Sequence, residues 1–229
     1  MLHKETVEAS TLDLIYRLMA DEDLTEFNLV GGTALALLVG HRISVDIDLF
    51  TDQPFDAEKL GAALSAKYQV NNLETDNNTI NCFIEDVKVD CIAHCYPWIQ
   101  PAFLVEGIRM TSIEDIAAMK FNAIVQDGSR LKDFIDIYVL LEHKSLAELF
   151  SCYERKYPNV SALTARKALL YHNDVQQTQK LDLVKQNISW QYVVKRLRQA
   201  NIDPQKIFKP ENELLLHQKT RLSRGRRIR

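Results

Sequence analysis

From Ser44 to Phe50 the chain alternates, with Val45, Ile47 and Leu49 on one side and Ser44, Asp46 and Asp48 on the other. Side chains two apart on a strand point the same way. Such a segment must bury its apolar face against a core while holding two carboxylates side by side. Just upstream, Phe27-Asn28-Leu29-Val30 reads as a short strand that ends at Gly31-Gly32. Thr33 to Val39 then reads as a helix stopped by Gly40. A strand, a glycine pair, a helix and a carboxylate-bearing strand therefore follow one another within about 25 residues.

The rest of the chain fits around this unit. Helices are expected over 4–20 and 56–67, and strands over 68–75, 79–84 and 87–93, the last two joined by a hairpin turn at Glu85-Asp86. Pro97 and Pro101 mark a loop. Ser112 with Asp115 three residues on has the form of a capping box opening a helix over 112–126. Asp127-Gly128-Ser129 breaks the chain before a helix over 131–143, and beyond 145 the pattern is mainly helical, interrupted at Pro158, Pro204 and Pro210. The fold class is α/β (α+β): a mixed sheet flanked by helices, followed by a mainly helical C-terminal part. The expected division is a core over 1–125, a helical domain over 126–216 and a basic tail over 217–229.

Charge is distributed unevenly. Residues 155–229 hold 17 Lys/Arg against 5 Asp/Glu, and residues 1–154 hold 11 against 26, although the whole chain carries only −3. A basic half suggests a polyanionic partner, while attraction between the two halves, or to an acidic protein, explains it equally well. No apolar run approaches the length of a membrane span, and Met1-Leu2-His3-Lys4-Glu5 lacks the apolar core of a signal peptide. A cytoplasmic protein without a membrane partner is expected. Of the cysteines at 82, 91, 95 and 152, the run Cys91-Ile-Ala-His94-Cys95 lacks zinc-knuckle spacing and a second ligand pair, so small buried thiols are the favoured reading.

Phosphoryl transfer requires phosphate charge to be neutralised and the attacking oxygen to be held in line. Two divalent ions about 4 Å apart can do both, and carboxylates are their natural hard ligands. Asp46 and Asp48 could hold Mg²⁺ (or Mn²⁺), with Asp90, flanked by Val89 and Cys91, as the third carboxylate on a neighbouring strand; alone, Asp90 could equally be a solvent-facing acid. Glycine lets backbone approach a phosphate, and a helix N-terminus offers free N–H groups, so Gly31, Gly32 and Thr33 would cradle the phosphates of an NTP. Arg42 could bind a phosphate or pair with a nearby acid. Lys120 interrupts an apolar helix face and either snorkels to solvent or enters a cleft. Asp133 and Asp136 share a helix face.

Apolar-Gly31-Gly32 followed by Asp46-Ile47-Asp48-Leu49, with a later apolar-Asp90-apolar strand, resembles the signature of the polymerase-beta-like nucleotidyltransferase superfamily. Val30-Gly-Gly-Thr-Ala-Leu-Ala-Leu37, His41-Arg42-Ile-Ser44-Val-Asp46-Ile-Asp48-Leu-Phe50, Ser112-Ile-Glu-Asp115-Ile-Ala-Ala-Met-Lys120 and Lys132-Asp133-Phe-Ile-Asp136-Ile-Tyr138 resemble, more narrowly, motifs of the AbiEii/AbiGii toxin family. The resemblance covers roughly residues 28–142 in pieces. It implies a nucleotidyltransferase core with a helical C-terminal part, a toxin role with a cognate antitoxin, and, as in some relatives, transfer of a nucleotide to tRNA. It also assigns Ser44 and Asp46 to the Ser-x-Asp metal motif, Asp48 to its second acid, Lys120 to the family lysine and Asp133 to the later catalytic acid. One departure stands out: Asp127 occupies the place before the loop glycine where the family usually has Arg, with Arg130 shortly after. Nucleotide transfer to a protein hydroxyl, and a non-catalytic nucleotide- or partner-binding module, remain the competing readings.

Overall fold

The computed structural model describes residues 1–178, 181–184 and 188–210. The expected basic tail at 217–229 lies outside the described residues. Seven strands form one sheet: β1 (Asn28–Leu29), β2 (Ile47–Thr51), β3 (Val70–Asp76), β4 (Thr79–Ile84), β5 (Val87–Ala93), β6 (Phe103–Val105) and β7 (Ile108–Met110). Their order is β3-β4-β5-β2-β1-β7-β6. β2 runs parallel to β5 and antiparallel to β1, while β1 runs parallel to β7. The helices are α1 (Ala9–Ala20), α2 (Gly31–Val39), α3 (Ala57–Lys67), α4 (Ile113–Gln126), α5 (Leu131–Leu140), α6 (Leu146–Lys156), α7 (Ala162–Leu170) and α8 (Trp190–Ile202).

Local chemistry explains most boundaries. Gly40 ends α2 in the left-handed conformation (φ 73°), its N–H donating to the Ala36 carbonyl. Glu85 and Asp86 both have positive φ, the backbone twist a two-residue hairpin requires between β4 and β5. Ser112 caps α4 by accepting from the Asp115 N–H. The reciprocal half of the expected box is absent, because the Asp115 carboxylate accepts from the Ile99 and Gln100 N–H groups instead. It also pairs with the fully buried Lys156 at 2.8 Å, pinning the 97–100 loop between α4 and α6. A complete capping box opens α6 at Ser145 and Glu148.

The differences from expectation have physical causes. The helix expected over 4–20 is a 3-10 turn at Lys4–Thr6 followed by α1 from Ala9. β6 and β7, three residues each, form a hairpin that was not anticipated. The strand expected from Ser44 starts only at Ile47, and Val45 is exposed. The backbone before it is engaged elsewhere: the Ser44 N–H donates to Thr6, and the Ile43 N–H donates to Asp182 at 2.7 Å. Arg42 and Leu183 form an antiparallel bridge, and Val184 donates to the His41 carbonyl. A segment of the C-terminal half thus fastens the stretch that leads into β2. No helix among the described residues is long and apolar enough to cross a membrane.

Candidate active site

β2 buries Ile47, Leu49 and Thr51 and turns Asp48 and Phe50 to the opposite face. In β5 the same alternation turns Asp90 and Ile92 to that face and sends the buried Val89 and Cys91 into the core. The two strands are in parallel register with Asp48 beside Asp90 and Phe50 beside Ile92. This face floors a cavity of about 600 Å³ that is also lined by Gly31, Gly32, Arg42, Ser44, Asp46, Lys120 and Asp133.

The glycine pair stands at the start of α2, where no side chain caps the helix. Gly31 has φ +69°, and a Cβ there would overlap the Asp48 carboxylate. A Cβ at Gly32 would meet the Arg42 guanidinium. These glycines therefore allow a helix N-terminus and the carboxylates to share one small space. Thr33 has another task. Its side chain is buried and its hydroxyl donates to the Asp46 carbonyl and contacts the Ser44 hydroxyl at 2.9 Å, so only its backbone remains for a phosphate.

Burial pushes the Asp48 carboxyl above its ordinary pKa; Lys120 opposes this, and Asp90 and Asp46 add to it. Crowded carboxylates of this kind suit a divalent cation, which would relieve their repulsion. Each neighbour now has a cationic partner. Lys132 lies 3.5 Å from Asp46, while Asp90 accepts from the Asn81 amide at 2.9 Å and pairs with Lys88. Among the described residues no three acidic, His or Cys side chains already converge as a metal cluster. Asp46, Asp48 and Asp90 line one cavity, and a metal held there would have to displace Lys132 from Asp46 and Lys88 from Asp90.

Behind the carboxylates lies a buried charge network. Asp136 has no solvent exposure and accepts from His41 Nε2 (2.8 Å), Arg42 Nε (2.8 Å) and Arg42 Nη2 (3.1 Å), with Lys120 Nζ at 2.8 Å. Burial would raise its pKa, but Arg42 and Lys120, with His41, hold it well below the carboxylate range. Burial would lower the Lys120 pKa, yet Asp136 and Asp133 raise it, so the ammonium stays charged. Lys120 does not snorkel; it faces the cavity and donates to Asp133 at 2.7 Å. Arg42 takes the ion-pair alternative, its fork closed on Asp136. Asp133 is buried between Lys120 and Arg130 Nε, the latter at 2.9 Å. Arg130 therefore supplies a cation to the cavity wall, while Asp127 is exposed and bonded to Ser129.

Sequence reasoning missed the centrality of Asp136, the His41 contact and the cations on Asp46 and Asp90. It also missed an aromatic wall made by Phe50, His94, Tyr96 and Tyr157. The period-two run Asp90, Ile92, His94 was a signal for part of it. His94 is neutral at ordinary pH, because burial and then Lys156 lower its pKa to about 4, and its Nε2 lies 2.9 Å from the Tyr157 hydroxyl. The Cys91-to-Cys95 run does not converge: Cys91 is buried in the core and Cys95 is exposed.

The profile of the family described as "Nucleotidyl transferase AbiEii toxin, Type IV TA system" matches residues 13–203. An uncharacterized protein of Aquifex aeolicus, aq_aa25, is 32% identical over 158 residues, covering 66% of this chain and 76% of that protein. Among solved structures, JHP933 from Helicobacter pylori superposes with a TM-score of 0.53 at 19% identity, covering 95% of this chain and 99% of its own. MenT4, a nucleotidyltransferase toxin from Mycobacterium tuberculosis H37Rv, gives 0.52 at 12% identity over 84% of each chain. At these identities the structural likeness shows a shared fold.

Proposed function

Because this chain belongs to the AbiEii nucleotidyltransferase toxin family and is a toxin-type nucleotidyltransferase, we propose that it transfers a nucleotide from an NTP to a hydroxyl of RNA, tRNA first among the candidates. The observation that carries this reading is the convergence of Asp46, Asp48 and Asp90 with the Gly31-Gly32 helix start and the buried Lys120 in one cavity. Asp46 and Asp48, with Asp90, would hold Mg²⁺ or Mn²⁺, which when bound neutralises phosphate charge and polarises the reacting phosphoryl group. The N–H groups at the start of α2 bind phosphate oxygens, and Lys120, fixed by Asp133 and Asp136, presents a permanent charge to them. In the reaction the acceptor oxygen forms a bond to the α-phosphorus, the bond to the β-phosphate oxygen breaks, and pyrophosphate leaves. Asp90 accepts the acceptor's proton in this scheme. Asp133 is less suited, since it is buried with cations at both its oxygens, whereas one Asp90 oxygen faces only the neutral Asn81 amide.

Residues 1–125 supply the metal strands and the phosphate cradle, and residues 126–216 supply Asp133, Asp136 and a basic surface. Exposed Lys167, Lys195, Arg198, Lys206 and Lys209 support an RNA backbone as the partner of that surface. A cognate antitoxin would be the protein partner, in the cytoplasm. The test is incubation with each NTP labelled on its α-phosphate, Mg²⁺, and either total RNA or total protein. Label on RNA supports the proposal. Label on protein alone would replace the acceptor and keep the chemistry, and label on neither would sink the catalytic reading.

A further inference from the structure

The floor of the cavity changes character along its length. At one level the paired strands present Asp48 and Asp90; two residues on, about 6.6 Å further along the strands, they present Phe50 and Ile92. Two residues past Ile92, just beyond the end of β5, stands His94, and the chain beyond it returns Tyr96 to the same wall. Phe50 and His94 have ring centroids 5.6 Å apart, His94 and Tyr96 4.9 Å, and Tyr96 and Tyr157 4.8 Å. The Tyr157 hydroxyl is occupied by His94, and Tyr157 is buried. Tyr96, by contrast, is 42% exposed and lines the cavity, so part of its ring is open to a ligand there. One end of the cavity is thus built for charge and the other for a flat apolar ring.

We propose that Phe50, His94 and Tyr96 form the platform on which the nucleobase of the NTP stacks, with Tyr96 as its outer wall. The inference rests on the nucleotidyltransferase reading, because the carboxylates fix where the phosphates lie. With the α-phosphate beside Asp48 and Asp90, a ribose bridges the step to the Phe50/Ile92 row and delivers the base against the aromatic rings. Tyr157 is a positioning residue that holds the His94 ring through its hydroxyl.

The test compares equilibrium binding, with Mg²⁺ present, of α,β-methylene analogues of the four NTPs and of inorganic tripolyphosphate. The platform requires at least one analogue to bind the wild type more tightly than tripolyphosphate. Tyr96→Ala should weaken that analogue roughly 5- to 150-fold, the range of a lost base–aromatic stack, and leave tripolyphosphate unchanged, while Tyr96→Phe keeps both. Phe50→Leu, which conserves apolar bulk, should weaken the analogue in the same selective way. Equal binding of analogue and tripolyphosphate by the wild type would overturn the platform. So would analogue binding that neither variant changes, a loss in Tyr96→Ala shared by tripolyphosphate, or an effect of Tyr96→Ala confined to the acceptor's KM. Each of these outcomes can occur while wild-type label transfer persists, so failure of the platform is distinct from failure of the catalytic assignment.

Discussion

Lys120 Nζ lies 2.8 Å from Asp136 Oδ2, and neither side chain is more than 9% exposed. The two residues sit on α4 and α5, and the same carboxylate also closes on Arg42 from the segment before β2. One buried acid therefore ties Lys120, on the cavity wall, to the segment that leads into β2.

Replacing Asp136 by Ala leaves Arg42 and Lys120 buried without their counter-charge. Breaking such a network from one side costs about 3–5 kcal/mol. Urea unfolding of Asp136→Ala should show a loss of that size. A change within about 0.5 kcal/mol, typical of a surface acid, would contradict the network.

The pH dependence of stability follows from two opposite kinds of group with the same sign. Asp136 has a folded pKa well below 3.8, so its contribution is present above that value and is lost as the pH falls below it. His94 has a folded pKa of about 4 against 6.5, so the native state disfavours its proton. Stability should therefore fall as the pH drops from 6.5 to 4. His41, also lowered by burial, adds to this window. Thermal unfolding of His94→Leu across that range should show a shallower slope than the wild type; an identical slope would remove His94 as a cause.

Gly31→Ala places a methyl group where the Asp48 carboxylate stands and forces φ +69° on an alanine. A displacement of about 1 Å at a reacting centre can cost a hundredfold in rate. Transfer should fall by about that factor or more in a variant that still folds by circular dichroism. Retention of most activity would mean the glycine pair is only a turn.

Lys88 pairs with Asp90, so a metal ion held by Asp90 would have to compete with it. Lys88→Met should lower the Mg²⁺ concentration needed for half-maximal transfer several-fold, and Asp90→Asn should raise it. If neither variant shifts the metal dependence, Asp90 stands outside the metal set.

What was legible in the sequence was local or periodic. Asp46 and Asp48 announced themselves by alternation, Gly31-Gly32 by its place between a strand and a helix, and the Glu85-Asp86 turn by its flanking strands. Asp136 read either as a helix-surface acid or as part of the Lys120 and Asp133 network, and its partners His41 and Arg42 could not be foreseen because they are more than 90 residues away in the chain. β6 and β7 were missed because three residues are too few to establish a period. The start of β2 was misplaced because Ser44 and Ile43 hydrogen-bond to Thr6 and Asp182, contacts that no local pattern encodes. Lys132 on Asp46 and Tyr157 against Tyr96 likewise belong to tertiary packing, whereas Lys88, two residues from Asp90 on the same strand, was a local pairing that alternation could have shown.

The most direct measurement is transfer of α-phosphate label from each NTP to total RNA by the wild type and by Asp46→Ala and Asp48→Ala, with folding of each variant checked by circular dichroism. The wild type should label RNA with at least one NTP, and both variants should fold and lose at least about a hundredfold in rate, the scale on which removing one transition-state-stabilising group acts. Label transfer within a few-fold of wild type in either folded variant would contradict the assignment of these carboxylates to catalysis.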